Sequence, residues 1–155
     1  MMTEQEEQYI HFVSCTTWLN NAWSLLKTIQ QQTGNSLIGP AFRFALIEYC
    51  KPYKQSHGVN RKFSLDSTHI PAAHLALHKQ LLKSRDQVHA HSDLTVMDAK
   101  LSVHESQGQR YTLIAQNRVT GVEDLPKLEE VVALIEATLD NMYLHVKQLE
   151  NGLPA

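Results

Sequence analysis

The chain has 155 residues, 43% of them hydrophobic and 19% charged, which suits one globular domain and is too apolar for a disordered chain. No apolar run approaches the length of about eighteen residues that a membrane span requires, and the N-terminus is acidic where a secretory leader would be basic, so a cytoplasmic protein is expected, with no membrane association. The net charge of −2 hides an asymmetry: residues 51–91 hold seven Lys or Arg against only Asp66 and Asp86, and six of the nine histidines, a pattern that fits a phosphate-bearing partner at one locus.

From Glu4 to Gln32 the positions Phe12, Cys15, Leu19, Ala22, Leu26 and Ile29 step by three and four. This is the seam of a packed helix, about 43 Å long at ~1.5 Å per residue. Trp18, Trp23 and Leu25 widen its stripe, and Thr33-Gly34-Asn35 ends it. A second helix is expected to begin between Ser36 and Pro40, with Ile38, Ala41, Phe42, Ala45 and Tyr49 facing inward and Pro52 ending or kinking it near Lys51. Tyr53–Asp66 has no period and reads as a loop. Cys15 and Cys50 lie in separate helical segments with no close cysteine or histidine partner, so both are expected to be buried free thiols.

A third helix is expected from Thr68–Pro71 to about His91. At ~100° per residue, Leu77, Leu81, Ser84 and Val88 share one stripe, while His74, His78, Arg85 and His89 share an adjacent one. His91 projects about 120° from Arg85, so the two converge only if the helix ends or bends there, or meets a second copy. A hairpin follows, with Leu101, Val103, Thr112 and Ile114 alternating with more polar positions, Gln107-Gly108 as its turn and Glu105 opposite Arg110. Such a hairpin is barely stable alone and must lean on the helices or on another chain. In the fourth helix Asp124 caps and Pro126 sits in the first turn, and Leu128, Val132, Ile135, Leu139, Met142, Val146 and Leu149 repeat 4-3-4-3-4-3 before Gly152. The expected fold is all-α: a single domain over residues 1–155, a four-helix bundle with a β-hairpin inserted between helices 3 and 4.

The densest chemistry lies in Arg85-Asp86-Gln87-Val88-His89-Ala90-His91-Ser92-Asp93. RNA can be cut without a metal if the 2′-hydroxyl is deprotonated and the charge growing on phosphorus is held. A histidine titrating near ~6.5 can move the proton and an arginine can hold two phosphate oxygens. Arg85, His91 and also His89 supply those types, and Asp86 or Asp93 can orient them. The plainer structural alternative is a surface pair, Arg85 with Asp86, beside a polar helix end at His91-Ser92-Asp93.

The string Arg85-Asp86-x4-His91 resembles the signature of the HEPN superfamily, an arginine, a polar residue and then a histidine a few positions on. Ala90-His91-Ser92-Asp93 is similar to the form found in its abortive-infection branch. The resemblance covers nine residues and the helical architecture. It implies a small bundle that dimerises so that two motifs face one cleft, and a metal-independent endoribonuclease acting in defence or as a toxin. By that resemblance Arg85 stabilises the transition-state phosphate, His91 transfers the proton and Asp86 orients them. His89, a second histidine within the motif, leaves open which imidazole acts, and Asp93 is an additional candidate.

His78 and Lys83 are expected RNA-binding positions. RNA and a second copy of the chain are the expected partners, with an antitoxin protein if the chain is a toxin. No cofactor is expected. Two other readings stay open: a non-catalytic HEPN-like dimerisation or nucleotide-binding or RNA-binding module, and a metal-binding bundle in which the pair His74-x3-His78 is completed by His11 or His145.

Overall fold

A computed structural model describes residues 2–32, 34–86, 98–117 and 127–153. Among them are four α-helices, α1 (Glu4–Gln30), α2 (Ile38–Cys50), α3 (Leu75–Ser84) and α4 (Leu128–Asn151), and two antiparallel hairpins, β1–β2 (Ser56–His57 with Lys62–Phe63) and β3–β4 (Lys100–Ser106 with Gln109–Ala115). No helix among the described residues is long and apolar enough to cross a membrane.

α1 is the element the others pack on. Thr3 opens it with a reciprocal cap: its hydroxyl accepts from the Glu6 N–H at 3.2 Å, and the Glu6 carboxylate accepts from the Thr3 N–H at 2.6 Å. That arrangement satisfies two of the N–H groups a helix start leaves without partners. All six seam positions, from Phe12 to Ile29, are buried. They meet Phe42, Ala45, Leu46, Tyr49 and Cys50 of α2 and Val131, Leu134, Ile135, Leu139 and Met142 of α4 in one core. Thr138, also fully buried in α4, turns its hydroxyl onto the Leu134 carbonyl at 2.7 Å, so no polar atom is left without a partner there. Cys15 and Cys50 are buried free thiols, as their isolation in sequence indicates, and burial pushes both up to about 12.

α2 ends at Cys50, beside Pro52 as expected, and the chain tightens into a 3₁₀ turn, Lys51–Tyr53, with Pro52 buried. Two other segments differ from expectation. The segment 53–66 contains the β1–β2 hairpin, whose strands of two residues are too short to carry any alternation. It is pinned to α1 by Glu7, a carboxylate buried in the fold that accepts the N–H groups of Val59 and Asn60. A side chain at Gly58 would collide with that carboxylate, the Arg61 carbonyl and the Phe63 ring, so only glycine fits. α3 begins later than expected, after a 3₁₀ turn at Ala72–His74, and Arg85 and Asp86 lead out of it in a wider π-type turn. The expected continuation to His91, and the expected start of α4 at Asp124 and Pro126, lie outside the described residues.

The long hairpin takes the register read from its sequence. Leu101 pairs with Ile114, Val103 with Thr112 and Glu105 with Arg110. Gln107 and Gly108 both have positive φ, 51° and 74°, which matches the right-handed twist of the flanking strands. Every residue of both strands is exposed, so the described helices do not cover it.

Leu19 is fully enclosed in α1, so Leu19→Ala should cost about 2–5 kcal/mol in urea-monitored unfolding, and a loss well below about 1 kcal/mol would show that the α1 seam is not the core.

Candidate functional site at the end of helix α3

α3 is amphipathic, but only two of its side chains are buried, His78 and Leu81. Both face α2 and the 3₁₀ turn after it. Nδ1 of His78 lies 2.8 Å from the Tyr49 hydroxyl, and the Tyr53 ring meets the imidazole edge-on with centroids 4.5 Å apart. The rings of Tyr49 and Tyr53 are tilted against each other at 5.6 Å. The Leu81 carbonyl takes a weak bond from the Cys50 thiol at 3.8 Å. His78 is 5% exposed, and burial, with a smaller push from Lys79, lowers its pKa below the ordinary 6.5. His78, an expected RNA-binding position, is thus enclosed in this structure, where it packs α3 against Tyr49 and Tyr53. The leucine spacing that set the inward stripe overlooked it, because its aromatic partners come from α2 and the turn after it, Tyr49 and Tyr53.

Seven residues on from His78, two helical turns along the same face, stands Arg85. Its side chain is about three-quarters buried at 26% exposure, and Nη1 donates to Asp86 Oδ1 at 3.0 Å. The other carboxylate oxygen of Asp86 receives Lys54 Nζ at 2.5 Å. Lys54 and then Arg85 hold the Asp86 carboxyl below its usual range. Arg85 Nε is buried and has no hydrogen-bond partner among the described residues. The result is two cations on one carboxylate, with an inner guanidinium N–H still unspent. Cys50 sits close enough to feel both charges, but its burial dominates and keeps it a thiol, which removes it as a nucleophile.

Of the residues singled out by sequence, Arg85 and Asp86 are brought together. Lys83 is exposed on the same helix. His89, His91 and Asp93 lie outside the described residues. Lys54 was not anticipated: it is 32 positions before Asp86 in a segment without periodicity, and nothing local marks it.

The described residues do not bring the histidines of the metal alternative together. His78 has spent Nδ1 on Tyr49, and His11 and His145 stand elsewhere, around a cleft that they share with His69. No group of three or more His, Cys, Asp or Glu is placed to hold a metal ion among the described residues.

Comparison of the chain with models of known families, with curated proteins and with solved structures finds no match.

Because His78 is held below its ordinary value, the unfolded chain binds more protons than the folded one as pH falls from about 6.5, and stability should decrease there. His11 and His69 are shifted in the same direction by burial and add to the effect. His78→Gln keeps a polar group against Tyr49 but cannot take up a proton; it should reduce the loss of stability measured by urea unfolding between about pH 7 and 5. An unchanged acid limb would show that His78 does not titrate on unfolding.

Proposed function

We propose that the chain is a cytoplasmic, homodimeric four-helix bundle of HEPN type that cuts RNA without a metal, acting in defence or as a toxin. The observation that carries this reading is the joint anchoring of Arg85 and Lys54 on Asp86, at the start of the Arg85-Asp86-x4-His91 string. An arginine whose Nε is enclosed and whose Nη1 is fixed by a carboxylate has lost most of its conformational freedom before substrate arrives, which is what electrostatic stabilisation of a transition state requires.

In this mechanism Arg85 and Lys54 hold the non-bridging oxygens of the scissile phosphate. His91 or His89 takes the proton of the 2′-hydroxyl. The 2′-oxygen attacks phosphorus, and the 5′-oxygen of the next nucleotide leaves with a proton, giving a 2′,3′-cyclic phosphate and a 5′-hydroxyl. Asp86 keeps the two cations in register, and Lys83 extends the basic surface along the strand. Pairing two copies brings two sets of these groups to one cleft. A toxin of this type acts with an antitoxin protein as its further partner.

A second reading, a dimerisation module without catalysis, is favoured by the β3–β4 hairpin. Leu101, Val103, Leu113 and Ile114 are exposed on strands that a lone hairpin could not keep ordered.

Purified protein incubated with mixed RNA in EDTA should yield cyclic-phosphate ends, and Arg85→Ala and His91→Ala should each lower the rate by about 10²–10⁴-fold. Lys54→Ala should weaken cleavage less, because Arg85 keeps its contact with Asp86. Activity indifferent to Arg85→Ala would overturn the assignment, and no cleavage by any form would leave the dimerisation reading. Light scattering should give twice the monomer mass; a monomer at high concentration would contradict both readings.

A further inference from the structure

A second cluster of basic groups lies away from Arg85, where the start of α1, the β1–β2 hairpin, the segment after it and the end of α4 meet. They enclose an open cleft of about 370 Å³, within the range of small-molecule sites. Its lining includes Arg61, Lys62, His11, His69 and His145, with Asp66 as its one carboxylate.

The walls are held in place. Arg61 lies over the Phe63 ring at 4.8 Å, Phe63 stacks on His11 at 4.6 Å, and Arg61 Nη2 donates to Gln8 Oε1 at 3.2 Å. Phe12 meets both His69 and His145 edge-on, at 5.3 and 5.0 Å, and the two imidazoles are 5.3 Å apart. Asn141 Nδ2 donates to the His69 carbonyl at 2.9 Å, tying the segment to α4.

Its cations make no ion pair among the described residues, while Arg61 acts at longer range on Glu7, and His69 and His145 on Asp66. Neither Arg61 nor Lys62 has a carboxylate within ion-pair distance among the described residues. Asp66 is occupied with the N–H and hydroxyl of Thr68. His145 Nδ1 faces the Gln148 side chain at 3.2 Å, and the His69 ring makes no hydrogen bond among the described residues. Two permanent cations and three imidazole donors converging on one cleft, with one carboxylate turned aside, complement an anion with several acceptor oxygens.

We propose that this cleft binds the phosphate group of a small phosphate monoester, with Arg61 and Lys62 supplying the charge and His11, His69 and His145 the directional hydrogen bonds. The site is separate from the Arg85 cluster and does not depend on RNA cleavage. A phosphate group can belong to a free monoester or to an RNA chain, and the cleft is assigned to the monoester because, at about 370 Å³, it has the size of a small-molecule site.

The test is a titration at pH 7 of glycerol phosphate, inorganic phosphate and a short single-stranded RNA, read by calorimetry and by the ring resonances of ¹⁵N-labelled histidine. Glycerol phosphate should bind with one site per chain and move the His11, His69 and His145 signals, leaving the enclosed His78 signal in place. Arg61→Ala and Lys62→Ala should each weaken it by about tenfold, and Arg85→Ala should not. The Lys62 side chain is exposed, so its variant reports on binding even if Arg61→Ala disturbs the hairpin. Movement of the three histidines by RNA alone would assign the cleft to the strand instead. No saturable binding up to about 10 mM of glycerol phosphate, or binding unaffected by both substitutions, would overturn the proposal.

Discussion

The hydrogen bond between the Tyr49 hydroxyl and His78 decides where the candidate site sits. α3 is short, and apart from Leu81 it buries nothing else fully, so the helix has far less hydrophobic anchorage than α1 or α4. A polar contact enclosed among aromatic rings is worth more than one in water, and it is directional. It fixes both the depth and the rotation of α3 against α2. Arg85 and Asp86, about two turns beyond His78, inherit that rotation. So does the meeting with Lys54, which reaches the site from the turn that follows α2. The burial that lowers the His78 pKa thereby accompanies the placing of a charged cluster two turns away.

The long helices could be read from spacing because their burial is one-sided. In α1 the six seam positions, and in α4 Val132, Ile135, Leu139 and Met142, are all buried where the three-four step puts them. The long hairpin was equally readable, since Gln107-Gly108 demands positive φ and fixes the pairing of Glu105 with Arg110. α3 was harder. Its leucines suggest a conventional inward stripe, yet Leu77 is only half-buried and the adjacent histidine takes the inner place. A single sequence does not reveal that a tyrosine 29 positions earlier offers its hydroxyl there. Lys54 and the β1–β2 strands were hidden for a related reason. Both act through partners distant in the chain, Asp86 for one and Glu7 for the other, and neither leaves a local period.

The distribution of charge now has a structural form. Four of the seven Lys and Arg in residues 51–91 fall at two loci. At one, Lys54 and Arg85 share Asp86. At the other, Arg61 and Lys62 stand with three histidines over Asp66. In each the single carboxylate is already engaged, by cations in the first case and by Thr68 in the second, so it organises the site without cancelling it.

The claim on which the functional reading rests is that the guanidinium of Arg85, anchored by its enclosed Nε and by Asp86, meets a phosphate oxygen through its exposed edge. It is tested most directly by recording the arginine Nε resonances of ¹⁵N-labelled protein while adding a short RNA whose 2′-hydroxyls are replaced by hydrogen, so that it binds without being cut. The Arg85 signal should shift in a saturable way and exchange more slowly with solvent. An Arg85 signal that stays in place while Arg61 or Arg110 responds would contradict it.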